Sequence, residues 1–359
     1  HTIKNDMVLN VASEVHYWKT DGTTNSYYAA NALAVSLVTD ENGNKVKTYT
    51  DKMGRTILKK VEADGNVESI SWLETYYIYD EYGRLKYQVP PKAMAVLGTG
   101  STLDANNTSV TELIFKYTYD YLGRVIEKKV PGAGVEYVVY DQLDRVVLTQ
   151  DANLREDDKW MFVKYDIKGR PVYNGWYVNS GSRTTVQGSL DALDYDDNDK
   201  WYEEEEVNAT YHGYTNLSFP ISSTTLLSVN YYDDYDFDHN GSPDYTYDNT
   251  HFTGQAASAS TRTRGLPTGS KRRIINSSGV TSDWLIGVTF YDEYDRPIQS
   301  QSNNQLYLAG VDKQTTIYDF IKPLESKSTH NSSASEALNI VDSMAYDHVG
   351  RVTSLYRKI

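Results

Sequence analysis

Short runs of β-forming side chains recur along this chain, some alternating with polar residues and some unbroken, and many of them end at the dipeptide Tyr-Asp. Tyr76-Tyr77-Ile78-Tyr79, Phe115-Lys116-Tyr117-Thr118-Tyr119 and Tyr137-Val138-Val139-Tyr140 are three of them, with the length and the β-branched and aromatic content of strands. A second run follows within a few residues, as in Arg84-Leu85-Lys86-Tyr87, Arg124-Val125-Ile126-Glu127 and Arg145-Val146-Val147-Leu148. The pattern predicts antiparallel hairpins. Side chains alternate faces along a strand, so Tyr77 with Tyr79, Tyr117 with Tyr119, and Tyr245 with Tyr247 are each expected on one side of a sheet.

The residues between the paired runs predict the turns. Asp80 is followed by Gly83-Arg84, Asp120 by Gly123-Arg124, Asp166 by Gly169-Arg170 and Asp347 by Gly350-Arg351. Degenerate copies are Asp51 with Gly54-Arg55, Asp141 with Asp144-Arg145, Asp292 with Asp295-Arg296, and Asp319 with Lys322-Pro323. An Asp carboxylate accepts hydrogen bonds from backbone N–H groups one or two residues on, which starts a turn. Glycine three residues later provides the positive φ that closes it, and Asp144 and Asp295 are of a residue type that tolerates the same region. Lys322-Pro323 breaks the rule, because proline disfavours a helical or left-handed residue before it, so that hairpin is expected to be built differently. The Asp-to-Asp spacings are 29, 40, 21 and 25, then a long gap, then 27 and 28. Self-similarity at about 20 to 50 residues marks a repeat architecture.

Tyrosine is unusually common, 32 of 359 residues against 7 Phe. A ring with a polar tip suits a sheet face that is neither dry nor wet, and ladders of Tyr between hairpins account for it more simply than ligand binding.

The repeated Tyr-Asp-x-x-Gly-Arg units, from about Asp40 to Arg351, resemble the RHS or YD-repeat proteins. The stretch Tyr140 to Asp151, the segment Val89-Pro90-Pro91-Lys92-Ala93 and the segment Arg264-Gly265-Leu266-Pro267-Thr268-Gly269 are similar to the large secreted YD-repeat proteins of Bacteroidetes-type bacteria. The resemblance implies an all-β array of hairpins in one curved or spiralling sheet, a segment of a hollow shell that often encloses a toxic or variable C-terminal domain. It implies secretion or a bacterial cell-surface location, and as partners the rest of a parent chain, its enclosed domain, and secretion-system or cell-surface proteins. The self-cleaving members usually carry an Asp-Pro segment, and no Asp-Pro occurs here. Only eight residues follow Arg351, and the expectation is a fragment of a larger protein, seen without its cargo. Expected divisions are 1–40, strands leading into the array; 41–178, repeat sheet; 179–264, degenerate repeats with acidic insertions; and 265–359, repeat sheet.

Charge and composition narrow the partners. A net charge of −14 and a pI near 5 repel nucleic acid and anionic lipid. The one basic cluster, Arg262 to Arg273 with Lys271-Arg272-Arg273, reads as solvated charge at a strand end. There is no Cys, hence no disulfide or thiol chemistry, and no run of 18 apolar residues. Neither membrane insertion nor a required cofactor is expected.

Between Tyr173 and Arg264 the repeat fades and acidity rises. Asp191 to Glu206 holds nine carboxylates in sixteen residues and reads as a solvated loop, with Leu190, Leu193 and Trp201 spaced for a short inserted helix. Asp236-Phe237-Asp238-His239-Asn240-Gly241 matches the first half of a calcium loop, with oxygen ligands at positions one, three and five and glycine at six. Position twelve is Tyr247 where an EF-hand has Glu, so Asp244, Asp248 or Asp234 would have to complete a site formed by Asp236, Asp238, Asn240 and Asp244. The competing reading is an acidic Asn-Gly turn between two Tyr-rich strands, Val229 to Tyr235 and Asp244 to Asp248.

No catalytic constellation emerges. The seven His show no zinc-like spacing, there is no Gly-x-Ser-x-Gly elbow, and Gly265 to Lys271 is too short for a phosphate loop. The chain is therefore expected to be a non-enzymatic structural segment of a β-shell, with an adhesin-like module that grips glycans or proteins through exposed aromatic rings as the alternative. Buried rings favour the first and an exposed row the second.

Overall fold

A computed structural model describes residues 3–63, 72–98, 102–103, 108–193, 200–207, 212–277, 279–333 and 335–359. Among these the protein is nearly all β, and twenty strands form one antiparallel sheet, with a separate two-stranded hairpin of His16–Trp18 and Thr24–Tyr27. The polypeptide divides into two compact units, His1–Val139 with Thr149–Asp157, and Tyr140–Leu148 with Asp158–Ile359.

In the first unit, Lys4–Leu9 pairs with Ala34–Thr39, and from there each strand pairs with the next in sequence. The order is Lys45–Thr50, Thr56–Glu62, Trp72–Tyr79, Leu85–Val89, Phe115–Tyr119, Val125–Lys129 and the strand beginning at Val135. This register lines up Val35, Tyr49, Leu58, Tyr76 and Val89 as a row across five strands, each at most 2% exposed. The small hairpin, through Trp18, packs into the same core, as do Ala93 and Leu97 of the helix Pro91–Leu97 and Val110 of the turn of helix Thr108–Thr111. Pro91 starts its helix where a missing N–H costs nothing.

In the second unit the same meander runs through Lys159–Tyr165, Pro171–Val178, Thr224–Tyr232, Pro267–Asn276, Gly279–Tyr291, Pro297–Ser302, Asp312–Asp319, Lys322–Asn331, Ala337–Tyr346 and Val352–Lys358. Lys159–Tyr165 alternates strictly, burying Trp160, Phe162 and Lys164 on one face. Two long insertions interrupt the meander, 179–223 and 233–266. The first contains a helix, Arg183–Asp191, capped by Ser182 and burying Val186 and Leu190. That helix lies just before the acidic run; residues 194–199 of the run fall outside the described residues. The second insertion lies over the sheet face, where Phe237 stacks on Tyr231 with ring centroids 4.1 Å apart and Tyr235 on Phe290 at 4.6 Å. Gly269 makes room for it, since a Cβ there would come within 2.2 Å of the Phe237 ring.

Two local expectations change and a third holds. Asp244 to Asp248 is irregular, and the strand before it ends at Tyr232, so no hairpin joins them. Lys271, Arg272 and Arg273 lie within a strand and not at its end, with Lys271 over the Tyr231 ring and Arg273 over Trp284. The Asp319 hairpin does differ from the others. Asp319 pairs directly with Lys322 across a two-residue loop, with Phe320 at φ 50°.

Candidate functional site

The Tyr-Asp turns share one geometry. In each, the Asp N–H donates to the Arg carbonyl four residues on, and the residue three on donates back to the Asp carbonyl, at Asp51, Asp80, Asp120, Asp141, Asp166, Asp292 and Asp347. The Asp Oδ1 accepts two backbone N–H groups, as from Tyr82 and Arg84 at Asp80. Gly83 takes φ 80° to close its turn, and Asp144 and Asp295 take 61° in the same place. The repeated Arg has a role that the spacing alone left open: its Nε donates to Asp Oδ2 of its own turn. That distance is 2.7 Å at Arg84 and Arg124, 2.8 Å at Arg145, 2.6 Å at Arg170 and Arg296, and 2.7 Å at Arg351. Burial alone would raise these carboxyls, but the Arg N–H and guanidinium outweigh it and hold Asp51, Asp80 and Asp120 below the usual carboxylate range.

Five of these arginines also reach the next repeat. The guanidinium lies over the following Tyr-Asp tyrosine, Arg55 over Tyr79, Arg84 over Tyr119 at 4.6 Å, Arg145 over Tyr165, Arg170 over Tyr232 at 4.3 Å, and Arg296 over Tyr318. Lys322 does the same to Tyr346. The hydroxyl of that tyrosine donates to the carbonyl of the residue after the Arg: Tyr79 to Thr56, Tyr119 to Leu85, Tyr165 to Val146, Tyr232 to Pro171, Tyr318 to Pro297 and Tyr346 to Pro323. One ring thus makes a cation–π contact and a hydrogen bond to the previous hairpin. Proline is tolerated at this position because only its carbonyl is used.

This clamp reveals a repeat hidden in the long gap. Tyr232-Asp233 is a Tyr-Asp unit whose turn has been opened by the insertion 233–266. The Asp233 N–H donates to Leu266, in the place of the usual Arg carbonyl, and the Tyr291 hydroxyl then donates to Pro267. Asp233 has no Arg of its own. It binds Arg170 through both terminal nitrogens at 3.0 and 2.8 Å and Lys168 at 2.7 Å. Against the opposing push of burial, these bonds hold its carboxyl well below the ordinary range.

The acidic loop brings together three of its four expected ligands. Carboxylate oxygens of Asp236, Asp238 and Asp244 lie within 4.8 Å of one another. Asp236 accepts the N–H groups of Asn240 and Gly241, and Asp244 accepts that of Phe237. Asn240 instead bonds Asp238 through its amide and accepts from Ser242. Asp248 is drawn elsewhere, to Lys313 at 2.5 Å, and Asp234 accepts from the Asp236 N–H. Hard oxygen donors in this number fit calcium better than a soft metal, although six or more oxygens are required and three carboxylates supply part of the set.

Within the run read as solvated, Glu203 is buried. It pairs with the equally buried Lys164 at 3.0 Å and accepts from the Ser218 hydroxyl, the Ser218 and Leu217 N–H groups and the Thr215 hydroxyl. Burial pushes Lys164 down despite the attraction of Glu203. The pair fastens the insertion 179–223 to the strand Lys159–Tyr165.

No known family description matches the chain, and no curated protein matches it. Among solved structures it is similar to the TcdB2-TccC3 crystal structure, at 13% identity and a TM-score of 0.46 over 98% of this chain. It is similar also to a structure of the Photorhabdus luminescens Tc holotoxin pore, at 12% identity and 0.45 over 96%. This chain spans 17% and 16% of those chains.

Proposed function

We propose that this chain is a structural wall: a YD-repeat β-sheet segment of a secreted or cell-surface protein that encloses or presents a cargo domain of its parent chain, without enzymatic activity of its own. The observation that carries this reading is the clamp. The same cation–Tyr–carbonyl contact recurs at six turns, five through Arg and one through Lys322, so these turns are tied to their neighbours as well as hydrogen-bonded along their strands. The repeat tyrosines are half-buried, with Tyr291 the most covered at 8% exposed, and their rings are engaged by neighbouring hairpins, which supports ladders between hairpins over a binding row. The test is limited proteolysis of the full parent chain. Segments outside the array should resist cleavage until the array is opened by denaturant; their cleavage at full rate with the array still folded would contradict enclosure.

A calcium role for the acidic loop is a second, separate reading, supported by the approach of Asp236, Asp238 and Asp244. Calcium titration followed by calorimetry should show one site that Asp236→Asn together with Asp238→Asn removes. Identical heats for the wild type and the double variant would reject it.

A further inference from the structure

Lys164, Glu203 and Asn216 are far apart in the chain and meet at one point in the second unit. Lys164 shares the buried face of the strand Lys159–Tyr165 with Trp160 and Phe162, while Glu203 and Asn216 belong to the insertion 179–223. Lys164 is 2% exposed and Glu203 1%. The Lys164 ammonium donates to Glu203 Oε1 at 3.0 Å and also to Asn216 Oδ1. Asn216 Nδ2 donates in turn to the Ile221 carbonyl at 3.1 Å, which holds the amide with its oxygen toward the lysine. An ion pair accounts for the first contact alone. The second sets a buried amine against the carbonyl carbon of a side-chain amide, with a carboxylate on the same amine.

These are the parts of an acyl transfer. Lysine is a nucleophile only as the amine, and burial pushes Lys164 down toward that form against the pull of Glu203. Glu203 is bonded to the ammonium and so placed to take its proton. The Thr215 and Ser218 hydroxyls and the Leu217 and Ser218 N–H groups fix both of its oxygens. A cavity of about 10 Å³ beside Lys164 has room for one water at most, so hydrolysis competes poorly.

We propose that Lys164 and Asn216 close an intramolecular isopeptide bond. Glu203 takes one proton from the Lys164 ammonium, and Nζ attacks Cγ of Asn216. The Nζ–Cγ bond forms and the Cγ–Nδ2 bond breaks. Nδ2 takes a second Nζ proton and then the one held by Glu203, leaving as ammonium and returning Glu203 to the carboxylate. No oxidant or co-reactant is consumed. A neutral amide replaces a buried ammonium, which removes the desolvation cost of that charge. In a chain without Cys, the bond is a staple that reduction cannot open, and it restricts the unfolded chain as a disulfide does. Before closure the ion pair holds the insertion, and chains lacking Lys164 or Glu203 cannot close. The bond is independent of any cargo-enclosing role of the sheet.

The test is mass spectrometry of the whole chain, purified folded, then denatured and digested with trypsin. The intact wild type should be lighter by one ammonia than its sequence requires. Trypsin should not cut after Lys164, and the peptide holding Lys164 should be joined to the one holding Asn216, with fragmentation placing the bond on Asn216. Glu203→Gln should show the full mass and two separate peptides. If Glu203→Gln does not fold, the wild-type peptide map decides by itself. Cyclisation at Asn240-Gly241 would also release ammonia but would leave the two peptides separate. Separate peptides in the wild type, or a bond that persists in Glu203→Gln, overturn the proposal.

Discussion

The first unit covers its sheet face with apolar contacts, whereas the second combines aromatic stacking with a polar region of its own. In the first, the row Val35–Tyr49–Leu58–Tyr76–Val89 is closed over by Val15, Trp18, Ala93 and Leu97, and the contact is hydrophobic. In the second, Gln299 and Thr315 are cross-strand neighbours and equally buried, at 1% and 0% exposure, yet they are covered by hydrogen bonds from the insertion. Asp248 N–H donates to Gln299, the Gln299 amide donates to the Asp248 carbonyl and the Thr315 hydroxyl, and His251 bonds Thr315 and Thr329 through its two ring nitrogens. Lys327 adds a bond to the His251 carbonyl. Similar strands can therefore carry either an apolar or a polar face, provided whatever covers a polar face satisfies every group it buries.

The largest effects expected separate these two modes. Tyr76→Ala should destabilise the first unit by about 3–5 kcal/mol, as for other large aromatic truncations in cores, read by urea unfolding. A loss below 1 kcal/mol would mean the row is not the core. In the second unit, Glu203→Gln should cost about 3–5 kcal/mol because it leaves Lys164 buried without its counter-charge. Adding Lys164→Met to that variant should restore much of the loss, and an unrelieved double variant would show that the partners of Glu203, not the ion pair, hold the insertion. Thr315→Val, close in size, should cost about 1–3 kcal/mol by stranding the His251 and Gln299 groups that bond it. A neutral outcome would place the insertion's attachment elsewhere.

The polar cover should also respond to acid. Burial, then the nearby Lys327 and Lys313, lower His251 from its ordinary value of 6.5, with Asp248 opposing. The unfolded chain thus binds the proton more readily than the folded one. Stability from this group is full above pH 6.5 and falls as pH drops below it, so the amide protection factors of residues 248–257, measured against the intrinsic exchange rate at each pH, should fall below pH 6.5. His251→Gln should flatten that slope; an unchanged slope would assign it to other groups, His212 being the next candidate because burial lowers it too.

The hairpins were legible in the sequence because Asp, Gly and Arg sit at fixed offsets, and Asp144 and Asp295 kept the same backbone demand. What stayed hidden depended on distance along the chain. Tyr232-Asp233 could not be read as a repeat, since the residue that takes the Arg position is Leu266, beyond a long insertion. Glu203 looked like one more solvated carboxylate, and only the fold brings Lys164 to it. Asp244 to Asp248 has strand composition, but Tyr245 packs on Phe237 of the same insertion and Tyr247 on Phe290 of the sheet, and the segment is irregular. The arginines were visible as part of a pattern, while their second contact, to the tyrosine of the next hairpin, needs two repeats in register to exist.

That second contact is the centre of the account, and a double-mutant cycle on Arg84 and Tyr119 tests it most directly. Arg84→Met and Tyr119→Leu, singly and together, should show a coupling of about 0.5–1 kcal/mol in urea unfolding, the size of a cation–π contact near the surface. Strictly additive losses would mean that neighbouring Tyr-Asp turns are merely adjacent, and that strand pairing alone holds the array together.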